Sequence, residues 1–438
     1  MQIRSFVVLA LVGFGYIHTD GLLAEEVSSR YSVDTSISVD QELGIQLPSG
    51  FRATVFADID GYGRHITVRD DGVLYYALTV RLGRGSNMGI VAMMDTDEDG
   101  VADVIERFAT DIPGTALQFH DGYLYYGSKT AVYRFVFEGD EIVPSAAPSV
   151  VVGGFPEQRL HEAKTFAIDD DHNIYVNVGA PSNACMEEFR TRGSPGQNPC
   201  PHSEVQAGVW RFDADEVGQR QGVDGSQFAS GIRNAMAMEW SAEHQRLYFL
   251  THGRDALFAL YPEYFTVEES AELPAEEMHI LSENGNYGWP FTYYDHYLNK
   301  RILAPEYGGD GRKGVESGLY EEPIANFPGH WAPNDMMFYT GEQFPARFQD
   351  GVFIVFHGSW NRAPLPQGGY KVVFVPFDGA VPGMDWEVFA DGFKGADVLE
   401  SPGDAVHRPT GIAQGPDGEL YISSTVSGRV WRVEYTGN

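Results

Sequence analysis

Five short stretches collect the residue types that move protons and hold anions. RLHEAKTFAID carries His161; GRHITVR carries Arg64 and His65; SGIRNAMAMEW carries Arg233 and Asn234. HGSWNRAPLPQGGY supplies His357, Trp360, Asn361 and Arg362, and VHRPTGIAQ supplies His407 and Arg408. An imidazole titrates near neutral pH and suits proton transfer, so His161 is a candidate general base. A guanidinium fork binds a carboxylate through two parallel hydrogen bonds, so arginines recurring at comparable places point to an anionic ligand. Singly, an arginine in an acidic protein more often makes a surface ion pair, and a lone loop histidine is more often just hydrogen-bonded. It is the recurrence that favours a site.

A separate signal is DTDEDGVADVIE, residues 95 to 106. Asp95, Asp97, Asp99, Asp103 and Glu106, with Gly100 at the turn, match the ligand positions of a 12-residue calcium loop. GIVAMM before it has the pattern of a strand, so this is expected as a structural calcium-binding turn or a solvated acidic hairpin turn, away from any axial ion.

The elements that position these residues show themselves as a repeat. A turn signal followed by alternating aliphatic and aromatic residues occurs as DGVLYYA at 71, DGYLYYG at 121, DHNIYVN at 171, HQRLYFL at 244, DGVFIVF at 350 and DGELYIS at 417. Each suits the start of a half-buried strand. Several run on into a second strand, as in KTAVYRFVF and SGRVWRVEY. Separations of 50, 50, 73, 106 and 67 residues fit four-stranded blades with insertions. The predicted fold is all-β, a six-bladed β-propeller, with a sandwich or a seventh blade hidden between 244 and 350 as alternatives. In a propeller, loops flanking the innermost strands form a funnel about the axis, and His161 is placed at the start of the strand AKTFAID, facing it. Helical periodicity is nearly absent; TVEESAELPAEEMHIL admits one helical turn. In NYGWPFTYYDHY, Tyr287 and Trp289 are expected to pack between blades and Tyr293 to Tyr297 to line the funnel.

Bulk properties exclude some partners. With 62 acidic against 30 basic residues among 438, the net charge of -32 repels nucleic acid and anionic membranes. MQIR followed by SFVVLALVGFGYI has the form of an export signal, residues 1–24, with cleavage near Ala24; no Cys follows to carry a lipid anchor. A short extension, 25–45, and one propeller domain, 46–438, are expected, located in the periplasm or outside the cell. Export fits Cys185 and Cys200, 15 apart in a Gly/Pro/Asn-rich loop, being a disulfide rather than two free thiols.

Taken in order, GIRN, HGRD at 252, ENGNYGWP at 283, HGSWNR at 357 and RPTGIAQGPDGELYIS at 408 resemble the glucose/sorbosone dehydrogenase family, closest to its sorbosone branch, over about Leu47 to Val433. The resemblance implies a six-bladed propeller holding pyrroloquinoline quinone and calcium on the axis, and oxidation of an aldose or related sugar. It implies that His161 takes a proton from a sugar hydroxyl while hydride passes to the quinone. It further implies that Arg64, Arg233, Asn234, His357, Arg362 and Arg408 contact the tricarboxylated cofactor and that Trp360 covers its ring. The main-chain carbonyls of Gly253 and Arg254 are implied to hold the calcium. No C-x-x-C-H haem motif is present, so electrons are expected to pass to a separate cytochrome or quinone. Two other readings share the fold: a calcium-dependent lactone hydrolase, which needs carboxylate and amide side chains on the axis where arginines and backbone turns are expected, and a non-catalytic propeller that binds glycan or protein.

Overall fold

Each of the six repeats turns on a residue with a positive φ. Gly72, Gly122 and Gly418 take it up, as do His172, Gln245 and Asp350, while Asp121 and Gly122 are both positive, the combination a tight two-residue hairpin requires. In this computed structural model, which describes residues 38–40, 43–80 and 87–437, those turns join the first and second strands of six antiparallel sheets. The export signal and most of the proposed extension lie outside the described residues.

The first strands are Tyr62–Val68, Gly114–His120, Phe166–Ile168, Ala235–Ser241, Pro333–Phe338 and Pro409–Gln414. They pack against one another in a closed ring and together line an axial channel. The second strands are Leu74–Thr79, Tyr123–Ser128, Asn173–Val178, Arg246–Thr251, Gly351–Phe356 and Leu420–Ser424. The fold is therefore the six-bladed propeller expected, without a hidden seventh blade. Its last blade is closed by the N-terminal strand Phe51–Asp58, which pairs with Arg429–Tyr435, so the two ends of the chain lock the ring.

The aliphatic–aromatic alternation explains the packing. Gly351–Phe356 is buried at all six positions, and each fully buried Val or Phe of this kind contributes about 1.5–3 kcal/mol. Tyrosine recurs because its ring fills the space between blades while its hydroxyl bonds the neighbouring blade's backbone. Tyr76 donates to Ser424 O across the closure, and Tyr126 to Gly89 O. The Tyr76 hydroxyl passes over Gly63, where a Cβ would lie 1.5 Å from it, so only glycine fits there.

Insertions fill the gap between His252 and Glu276. Val267–Glu272 is the helical turn anticipated, begun by a capping box between Thr266 and Glu269; a second short helix, Leu257–Leu260, was not anticipated. Thr292–Asp295 pairs with Lys300–Leu303 as a hairpin outside the blades. Tyr293 and Tyr294 are buried in it, Tyr293 beside a small cavity that Arg233, His252 and Gly253 also line; Tyr287 and Trp289 are buried as expected. Cys185 and Cys200 form the disulfide. No helix among the described residues is long and apolar enough to cross a membrane.

Candidate active site

Because the strands alternate in direction, the starts of the first strands and the ends of the second strands share one face. Register shifts interrupt the start of the first strand in five blades, between Gly63 and Ile66, Gly114 and Ala116, Ala235 and Ala237, Pro333 and Asp335, and Pro409 and Gly411. A bulge at this point re-aims side chains toward the axis.

His161 lies on this face, five residues before its strand rather than at the strand's start, with φ +51. Its Nδ1 is 2.6 Å from Ala180 O. That contact makes Nδ1 the protonated nitrogen and leaves Nε2 with a lone pair and no partner among the described residues. Gly179 makes room: a Cβ there would sit 2.6 Å from the His161 Cβ. Gln158, overlooked in the sequence, clamps the loop by donating from Nε2 to the carbonyls of Leu160, His161 and Gly179. Burial, then the nearby Arg233 charge, pull the His161 pKa down to about 3, so the imidazole is neutral.

Three more histidines are fixed in the same manner. His65 Nε2 meets Asn334 O at 2.7 Å, His252 Nε2 meets Pro333 O at 2.8 Å, and His357 Nδ1 meets Pro409 O at 3.0 Å. Burial chiefly lowers all three, His65 to about 3, His252 to about 4 and His357 well below the ordinary value. For His357 the next causes are Arg408 and Arg64, which places those guanidinium groups beside it.

The arginines divide into two groups. Arg64 makes no ion pair or side-chain hydrogen bond among the described residues, and its Nε is a buried donor without an acceptor. Burial lowers its pKa. Arg408 leans over the Tyr370 ring at 5.2 Å and donates to the carbonyls of His357 and Gly358. Arg233 is held by Asp255 Oδ2 at 3.1 Å and by Asn183, while Asn234 meets Asn177 at 3.4 Å. Arg362, by contrast, is bound to Glu272 and to the carbonyls of Ala271, Gly329 and Pro366. Those bonds make it a loop anchor, against its expected role at the cofactor. Trp360 is 56 % exposed. It helps line a cavity of about 520 Å³ with Tyr62, His357, Pro402, Val406 and Arg408.

Asp255 was missed, although HGRD displays it. Its carboxylate gathers Arg233, Arg190 at 2.7 Å and Asn361 at 2.8 Å. Glu276, also missed, accepts from Gly253 N at 3.0 Å and Ala332 N at 3.3 Å, and burial pushes it up to about 7. Among the described residues, no hydrogen bond ends on the carbonyl oxygens of Gly253 or Arg254, which leaves them able to ligate a hard cation. The Arg254 side chain itself is buried against Glu306.

Two findings depart from expectation. Glu239 and Asp335 line the axial channel, of about 340 Å³, so carboxylates do occur on the axis where arginines and backbone turns were expected. Burial pushes both up to about 8, with Asp335 adding to the effect on Glu239 and Arg64 opposing it on Asp335. In the acidic turn, only Asp95, Asp97 and Asp99 bring carboxylate oxygens within 4.8 Å of one another. Asp103 accepts from Thr96 N and Oγ1, and Glu106 stands exposed on the outer strand Val104–Phe108. This turn leaves the third strand of its blade, on the face opposite His161.

Comparison with known proteins follows the same lines. A family model described as TrAA12-like matches residues 45–300 and 311–436. The calcium structure of a Trichoderma reesei protein of Carbohydrate-Active Enzymes Family AA12 is similar with a TM-score of 0.70 at 16 % identity, over 93 % of this chain and 99 % of that one. The holo form of the pyranose dehydrogenase PQQ domain from Coprinopsis cinerea gives a TM-score of 0.67 at 20 % identity, over 89 % and 97 %. These structural likenesses concern the fold. In sequence, a pyrroloquinoline quinone-dependent pyranose dehydrogenase of Coprinopsis cinerea is 31 % identical over 189 residues, which are 37 % of this chain and 25 % of that protein. The match thus spans about a quarter of that relative's length. An uncharacterized protein of Borreliella burgdorferi is 20 % identical over 405 residues, 89 % of this chain and 91 % of that one. With its family model covering both halves of the ring, the chain belongs to the TrAA12-like family.

Proposed function

We propose that this protein is an exported quinoprotein that oxidises a hydroxyl of an aldose or related sugar and hands the electrons to a separate acceptor. Arg64, Arg233, Asn234 and Arg408 are the residues that would hold the carboxylates of pyrroloquinoline quinone, and the carbonyls of Gly253 and Arg254 those that would hold calcium. The orphaned Nε of Arg64 and the two unengaged carbonyls support that fit. When bound, the quinone supplies a two-electron acceptor and the ion a Lewis acid beside it. The chain's own part is proton transfer and positioning. His161 receives the hydroxyl proton at Nε2, because Nδ1 is committed to Ala180 O. Gln158 keeps that ring in place, and Asp255 orients Arg233 toward the same centre. The pinned, neutral imidazole among guanidinium groups is the observation that carries this reading.

The test is dye reduction across a sugar panel after reconstitution with pyrroloquinoline quinone and calcium. Substrate-dependent reduction that His161→Ala abolishes while cofactor still binds is the expected result; no reduction with any sugar despite bound cofactor overturns it. One observation favours a second reading. Glu239 and Asp335 on the axis are the kind of ligands a calcium-dependent lactone hydrolase uses, and lactone hydrolysis without quinone would establish it. The triad Asp95, Asp97 and Asp99 is assigned a structural calcium role remote from the chemistry.

A further inference from the structure

The hairpin turns of blades two and three, on the face opposite His161, bring two imidazoles together. His120 ends the first strand Gly114–His120, and His172 occupies the left-handed position of the turn before Asn173–Val178. Their ring centroids are 5.5 Å apart with planes at 78°. Two imidazoles on one tetrahedral ion, each with a metal–nitrogen bond of about 2.1 Å, place their centroids about 5.3 Å apart. The observed separation is that spacing.

The nitrogens are also in suitable states. His172 Nδ1 lies 3.3 Å from the Asp215 carboxylate, to which it donates a hydrogen bond, so that Nε2 is the nitrogen left to ligate. A carboxylate behind an imidazole in this way is the usual second support of a histidine metal ligand. His120 Nε2 is buried and has no hydrogen-bond partner, a costly condition for a polar atom unless something else meets it. Asp121, Asp170 and Asp215 all act electrostatically on His120, giving the negative surroundings a cation needs.

We propose that His120 and His172 form a two-imidazole site for a divalent transition-metal ion of the zinc or copper class, with Asp215 as the positioning residue and water completing the coordination. Imidazole nitrogen selects these ions over calcium, so the site is chemically distinct from the oxygen ligands of the acidic turn and of Gly253 and Arg254. It is also independent of the quinoprotein reading.

The test is calorimetric titration of the full chain with Zn²⁺ in excess calcium, comparing wild type with His120→Ala, His172→Ala, the double variant and Asp215→Asn. Wild type is expected to bind one Zn²⁺ that the double variant does not; each single histidine change weakens it at least ten-fold, and Asp215→Asn about ten-fold. His172 sits on a partly exposed turn, so His172→Ala remains informative if His120→Ala fails to fold. Titration of wild type with Co²⁺ gives a second readout, a tetrahedral visible absorption band that His172→Ala removes. Equal Zn²⁺ stoichiometry and affinity in wild type and His172→Ala, or a Co²⁺ spectrum unchanged by it, overturns the assignment.

Discussion

Arg64 offers a perturbation whose two effects have opposite signs. Its guanidinium is desolvated, its Nε is buried without an acceptor, and no carboxylate pairs with it among the described residues. A buried charge without a partner is a liability to folding, and replacing such groups by apolar side chains of similar volume is neutral or stabilising by about 1–4 kcal/mol. Arg64→Met is therefore expected to raise the melting temperature of the cofactor-free protein. With about 2.1 cal/mol/K of unfolding entropy per residue, that gain corresponds to about 1–5 °C for a chain of this length. If Arg64 awaits a carboxylate, the same change removes a charge-assisted bond worth about 1.5–3 kcal/mol, weakening pyrroloquinoline quinone about 10- to 150-fold. Arg64→Lys keeps the charge but not the fork and should fall between. Scanning calorimetry with and without cofactor, combined with a binding titration, measures both effects. A lower melting temperature together with unchanged cofactor affinity would show that Arg64 is structural and refute the reasoning.

Further expectations concern other parts of the molecule. Gln158→Ala should leave cofactor affinity within two-fold yet lower turnover about ten-fold, since it releases only the His161 loop; equal losses in both would deny it a positioning role. Cys185→Ser with Cys200→Ser should cost about 3 kcal/mol from a 15-residue loop, read by denaturant unfolding. Glu239, protonated in the fold up to about pH 8 but ionising near 4.3 when unfolded, contributes stability that is lost as pH rises through that window; Glu239→Gln should therefore match wild type at pH 4.5 and exceed it by about 1–3 kcal/mol at pH 7.5. Asp97→Asn with Asp99→Asn should remove one bound calcium without touching activity, and an unchanged ion count would make that loop a solvated turn.

What the sequence disclosed follows from range. The blades were legible because each depends on local signals: a turn needing positive φ, as at Asp121 and Gly122, then alternation of period two. Val267–Glu272 was legible because Thr266 and Glu269 form a capping box four residues long. Asp255 and Gln158 were not, since their roles arise only when loops far apart in the chain meet, as when Asn361 reaches Asp255 across 106 positions. Arg362 misled for the same reason. It falls in the fifth-blade loop that the resemblance implies for a cofactor contact, whereas Glu272 and the Gly329 carbonyl, invisible as partners in the sequence, claim its guanidinium. The acidic turn matched a pattern at every position, but strand pairing carries Glu106 opposite Ala92 and away from the triad.

Why an acidic chain keeps positive charge at its centre comes down to which partners are present there. Asp255 takes two arginines at once, Arg233 and Arg190, so it orients them without neutralising both. Counting Arg64, Arg190, Arg233 and Arg408 against Asp255 leaves an excess of three positive charges among these five groups, with Glu162 acting on Arg64 from beside His161. The four histidines around them are held neutral by burial and add none, and Glu276, pushed up to about 7, is at least half protonated below that pH. Adding protons to those imidazoles would increase the repulsion, which is why Arg233 and Arg408 depress the histidines nearest them. A ligand bearing three carboxylates would balance this centre while raising the basicity of His161, moving it from a spectator near pH 3 toward a competent proton acceptor. On the proposed reading, the anion that would complete the site would also be what switches on its base.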